Sequence, residues 1–174
     1  MARALQCVLR PDYLYAGVDA FLLSLPPPLH GAEDGVRFVA VPGDDGRDVT
    51  AIEVGPRALA LLRASHRAMA AIACDGVSVL LDEVLLSDDL RQSYRQAFDG
   101  LPLMTVKVHC SPEVADERER ARGDRMPGLA SGLAALVHEG MVYDAEVETS
   151  TADVGTLAAA LAADVVAWRE RWHS

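Results

Sequence analysis

Three arginines, Arg118, Arg122 and Arg125, recur at i, i+4 and i+7, so a helix here sets all three on one face, with Arg120 turned elsewhere. Three guanidinium groups are costly to pack together without an anion, and their forked donors suit phosphate oxygens. The same spacing fits a solvated face on which Glu117, Glu119 and Asp124 are the partners. Two acids follow apolar runs, Asp19 after YLYAGV and Asp82 after VSVLL. In open parallel sheets, ligands bind beyond the carboxyl ends of the strands. A carboxylate there can take a hydroxyl proton, or hold Mg2+ directly or through water. An acid after a strand also serves as a helix cap or turn residue. His138 and Tyr143 follow the arginines, and a lone histidine reads first as structural. No histidine cluster has metal spacing, and neither a Gly-x-Ser-x-Gly elbow nor a catalytic cysteine signature is present.

These residues need elements to hold them. Residues 2–9 read as an amphipathic helix, with Pro11 and Asp12 as its break, and residues 13–18 as a short buried strand. Residues 26–56 open on three prolines and carry two β-patterned runs, 36–41 and 48–54, around a turn-rich PGDDGR; they read as a hairpin excursion. Pro56 starts a helix that runs to about residue 73. Strands at 77–81, 103–108 and 145–148 then alternate with helices at 88–98, 112–125, 129–139 and 154–172. Alternation of this kind predicts βαβ units and a mostly parallel sheet covered on both faces.

Composition narrows the function. The 174 residues form one expected domain, 51% hydrophobic and 24% charged, as globular chains are. A net charge of −10 argues against a nucleic-acid partner, although a few arginines can still make a local anion site. No apolar run approaches the roughly 20 residues of a membrane span, and residues 1–10 do not read as a signal peptide. Three scattered cysteines, Cys7, Cys74 and Cys110, read as free thiols of a reducing cytoplasm.

A nucleotide kinase of the P-loop type needs Gly-x-x-x-x-Gly-Lys-Ser/Thr after its first strand, where backbone N–H groups cradle the phosphates. No such pattern occurs in the 174 residues, and the single lysine, Lys107, falls within a predicted strand.

The stretches AGVDAFL (16–22), VGPRALAL (54–61), LLDEVLL (80–86), RERARGDRMPG (118–128) and VHEGMVYDAEVETS (137–150) resemble chloramphenicol phosphotransferase in order and spacing, across nearly the whole length. The resemblance implies a P-loop kinase-type three-layer α/β fold and transfer of the γ-phosphoryl group of ATP, with Mg2+, to a hydroxyl of a small antibiotic-like substrate. It carries the general base onto Asp19 and the lid arginines onto Arg118, Arg122 and Arg125. It also places Asp82 in the family's acid pair, here completed by Glu83. Glu148 departs from the usual Asp, and residues 26–56 match a substrate-side insertion. In the family, a strand and the glycine-rich loop precede the point equivalent to Ala2–Gln6. About 20 residues are therefore expected to be missing, the size of a strand plus that loop. The sheet is expected to lack its central first strand, and the chain as written to be inactive. A non-catalytic pseudo-kinase that binds a small molecule or a partner is the alternative, and a shikimate-kinase-like or nucleotide-kinase-like enzyme is a further one.

Overall fold

The computed structural model describes residues 1–9, 13–43, 46, 48–122, 128–134 and 136–172. Its elements run α1 (Ala2–Val8), β1 (Tyr13–Gly17), α2 (Val18–Leu23), β2 (Val36–Pro42), β3 (Asp48–Val54), α3 (Pro56–Cys74), β4 (Ser78–Asp82), α4 (Asp88–Ala97), β5 (Val106–His109), α5 (Pro112–Arg122), α6 (Leu129–Ala134), β6 (Ala145–Glu148) and α7 (Val154–Trp172). The chain is α/β, and two of its three strand pairs are parallel, as the alternating pattern requires.

β1 pairs with β4 from Tyr13↔Ser78 to Gly17↔Asp82. β5 pairs with β6 from Val106↔Ala145 to His109↔Glu148. The excursion is an antiparallel hairpin, β2 on β3, with Val36 opposite Val54. Among the described residues no strand joins the two parallel pairs. Between them lies a cavity of about 1110 Å³, lined by β4 along its whole length and by Val106, Val108 and His109 of β5.

Adjacent residues of β4 serve opposite layers, because successive side chains of a strand point to opposite faces. Leu80 packs with Leu5, Leu9, Val147 and Leu161, the contribution of α1, β6 and α7. Leu81 packs with Leu62, Leu85, Leu90 and Phe98, around α3 and α4. Helices therefore cover both faces, which gives three layers.

Several element boundaries differ from the sequence expectation, most by a single residue. The first strand stops at Gly17 because Val18 already begins α2. The strand expected from residue 103 starts at Val106. Thr105, just before it, is taken up by Asp144, whose Oδ2 accepts from both Thr105 N (2.7 Å) and Thr105 Oγ1 (2.9 Å). The helix expected over 129–139 stops at Ala134. Gly132 weakens it from within, and Leu136 N turns back to Leu133 O at 3.0 Å as a tighter turn.

Candidate functional site

The two acids leave neighbouring parallel strands at their carboxyl ends. Asp82 is the last residue of β4, opposite Gly17, and Asp19 stands two residues past Gly17 in the first turn of α2. Both side chains are exposed. Tyr15 Oη donates to Asp82 Oδ2 at 3.0 Å. Burial raises the Tyr15 phenol above its ordinary value, followed by the Asp82 charge and, more weakly, that of Asp19, against the pull of Arg3. Asp19 thus acts electrostatically on the same spot as Asp82.

Arg118 and Arg122 come from the arginine helix, α5. Both line the cavity between the strand pairs, together with Asp82, Glu83, His138 and Tyr143. Asp19 is not among the lining residues. Arg125 lies outside the described residues. Arg118 is held at the end of β6: Nη1 donates to Thr149 Oγ1 (2.9 Å) and Nη2 to Thr149 O (2.6 Å). Each of these nitrogens keeps a second N–H for an anion. Glu119, one of the acids that the spacing offered as an arginine partner, instead accepts from Gly128 N (2.6 Å) and Ala130 N (2.7 Å) and so ties α5 to the start of α6.

Beside Asp82, Glu83 of the expected acid pair lies near the buried His66 and its partner Ser93, which had no signal in the sequence. The Glu83 side chain is 17% exposed and stands 3.9 Å from His66 Nε2, too far for a hydrogen bond. Burial, then the Asp82 charge, pushes the Glu83 carboxyl up to about 7. Burial pushes His66 down, and the nearby Arg67 adds to this. His66 Nδ1 lies 3.2 Å from Ser93 Oγ, and its ring meets Tyr94 edge-on at 5.6 Å. His66 comes from α3, Ser93 and Tyr94 from α4, and Glu83 from just after β4, so no local spacing announces their meeting. Glu148 bonds locally, with Oε1 accepting from Ser150 N at 2.7 Å.

His138 Nδ1 lies 2.8 Å from Tyr143 Oη, with the rings edge-to-face. Burial lowers His138 and raises Tyr143. The segment that carries His138 is anchored by arginines outside the predicted set. The Arg91 side chain is buried and donates to Leu85 O (3.0 Å) and Leu136 O (3.5 Å), while Arg95 Nη2 donates to Gly140 O (2.7 Å). Lys107 pairs with Glu146 at 3.6 Å across the β5–β6 register and does not face a phosphate cradle.

Residues 1–166 match the family described as chloramphenicol phosphotransferase-like protein. The chain belongs to that family. Two Mycobacterium tuberculosis proteins, from strains H37Rv and CDC 1551, are each named a "Putative O-phosphotransferase". Each is 28% identical to this chain over 162 residues, which span 91% of this chain and 72% of the relative. The family and the names of these relatives support phosphoryl transfer as the chemistry of this chain.

The donor set decides what kind of metal the site suits. Among the described residues no group of three or more histidines, cysteines or carboxylates stands ready to hold an ion. Mg2+ rarely uses such a cage; it takes one or two carboxylates and fills its remaining positions with water and substrate phosphate oxygens. A single exposed carboxylate at a strand end, Asp82, fits that mode. Among the described residues no helix is long and apolar enough to cross a membrane.

Proposed function

We propose that this chain is an ATP-dependent phosphotransferase that moves the γ-phosphoryl group onto a hydroxyl of a small, antibiotic-like molecule, with the resistance role that such a modification carries. The observation that carries the reading is the gathering of Asp82, Arg118 and Arg122 around one cavity, in a chain of the chloramphenicol phosphotransferase-like family. Asp19 takes the proton of the acceptor hydroxyl as its oxygen attacks phosphorus. Arg118, Arg122 and Arg125 meet the charge that spreads over the transferring oxygens. Asp82 would hold Mg2+, which when bound would supply neutralising charge for the nucleotide phosphates. The hairpin excursion lies on the acceptor side.

The 174 residues contain no glycine-rich phosphate cradle. Phosphoryl transfer depends almost entirely on positioning and charge stabilisation, so the chain by itself turns over slowly. The cavity is lined by both β4 and β5, and among the described residues no strand joins the two parallel pairs. Equilibrium dialysis with Mg2+ and ATP tests this side of the reading. Weak binding that strengthens when a strand and phosphate loop are fused ahead of Met1 supports it, and tight binding by the unfused chain opposes it.

A second reading, a non-catalytic binder of a small molecule or partner, is favoured by the missing cradle and by the engagement of Arg118 with Thr149. It predicts that the fused chain still shows no transfer to any alcohol.

A further inference from the structure

Asp82 is exposed, yet one of its oxygens is held by a side chain that is itself packed against a guanidinium. Tyr15 of β1 donates to Oδ2 at 3.0 Å. Arg3 of α1 lies over the Tyr15 ring, with its guanidinium carbon 3.6 Å from the centroid. Tyr15 reaches along its own strand, past Gly17, the residue paired with Asp82. That path exists because residue 17 has no side chain: a Cβ there would stand 2.5 Å from Tyr15 Oη. Tyr15 and Gly17 lie on the same face of β1, since alternate residues of a strand share a face. The glycine, the phenol and the guanidinium together fix where the hydroxyl sits.

A free aspartate at a strand end samples several rotamers, and a cation that needs its carboxylate must then restrict it at an entropic cost. With Oδ2 held by a hydroxyl, the carboxylate is oriented before anything binds. Outer hydrogen bonds to a ligating carboxylate generally tune its affinity in this way. We propose that Tyr15, steadied by Arg3 and admitted by Gly17, is a positioning residue that presents the second oxygen of Asp82 to a divalent cation. The inference rests on the reading of Asp82 as the metal-holding acid, and the test separates the two.

The experiment uses the 174-residue chain, its Tyr15→Phe, Arg3→Gln and Asp82→Asn variants, and Mn2+ as the probe. NMR three-bond couplings to Asp82 Cγ report its χ1 rotamer, and paramagnetic broadening of the residue 82 amide reports Mn2+ nearby. The unsubstituted chain is expected to show one Asp82 rotamer and selective broadening at residue 82. Tyr15→Phe should average the couplings and require about tenfold more Mn2+ for equal broadening, the lower end of what an outer hydrogen bond contributes. Arg3→Gln, an exposed change that keeps the hydroxyl, should give a smaller effect in the same direction. Unchanged couplings and broadening in Tyr15→Phe, with broadening lost in Asp82→Asn, would overturn the positioning role and keep the metal role. Broadening that survives in Asp82→Asn, or never occurs at residue 82, would overturn both.

Discussion

Gly132→Ala offers a test in which the sign of the answer is informative. Gly132 lies inside α6, where a glycine-to-alanine change ordinarily stabilises a helix by up to about 1 kcal/mol. Here a Cβ would sit 2.2 Å from Thr50 O of β3, where ordinary contact begins at 3.4 Å. The obstacle is backbone, so no side chain can swing aside. The helix must retreat by roughly 1 Å, and the Thr50 N–H···O=C Gly128 bond, 3.1 Å now, stretches past hydrogen-bonding range. Overpacking of this kind costs about 1–3 kcal/mol. Set against the propensity gain, the net expectation is a loss of about 1–2 kcal/mol. Urea unfolding followed by circular dichroism measures it, and hydrogen exchange locates it. The Thr50 amide should exchange about 5- to 30-fold faster, which is what a loss of about 1–2 kcal/mol does to the opening equilibrium. The consequence reaches the site, because Glu119 ties α6 to the arginine helix. A more stable Gly132→Ala protein, or unchanged exchange at Thr50, would refute the contact between α6 and the hairpin.

Further expectations follow from the buried groups. Glu83 stays protonated in the fold until about pH 7, while the unfolded chain ionises it near 4.5, so the native state binds more protons between those values. Stability should therefore fall as pH rises from 4.5 through 7, by up to about 3 kcal/mol, and Glu83→Gln should remove that decline. His66, held low by burial, removes stability as pH falls below 6.5, so urea midpoints of parent and variant are compared at each pH. A decline that survives in Glu83→Gln would assign it elsewhere. Arg91→Ala should cost about 1–3 kcal/mol by orphaning the buried Leu85 O, whereas the exposed Arg95→Ala should cost under about 1; thermal melts distinguish them. Arg118→Ala should barely change the melt, because the residue is exposed, yet slow transfer about a hundredfold in the cradle-fused chain, as loss of one transition-state donor does.

Much of the scaffold could be read from local pattern. VSVLL is nearly continuous in apolar residues because both faces of β4 are covered, and the structure sends Leu80 and Leu81 to opposite layers. Pro56 and Pro112 mark helix starts because a proline in the first turn loses no internal bond. The two strands of the hairpin were legible from their β-patterned runs. The candidate site was legible only where one residue announces itself: an acid after a strand, or arginines at helical spacing. Glu83, His66 and Ser93 meet from separate segments and share no spacing. Tyr15 read as part of an apolar strand, and its bond to Asp82 depends on a register between segments more than 60 residues apart. Arg91 and Glu119 were missed or misassigned for a related reason. Charge at a given spacing does not say whether its partner is a neighbouring acid, a carbonyl or a helix N-terminus.

The central question is whether this scaffold transfers phosphate to an alcohol once phosphates can be held. Phosphorus-31 NMR of Mg2+, ATP and a panel of small hydroxylated molecules, chloramphenicol among them, should show a new phosphate ester when the panel meets the chain fused behind a strand and glycine-rich loop. The ester should fall to a trace in the fused Asp19→Asn protein and in the unfused chain. Ester formation at equal rates with and without the fused loop, or undiminished by Asp19→Asn, would contradict the proposed function.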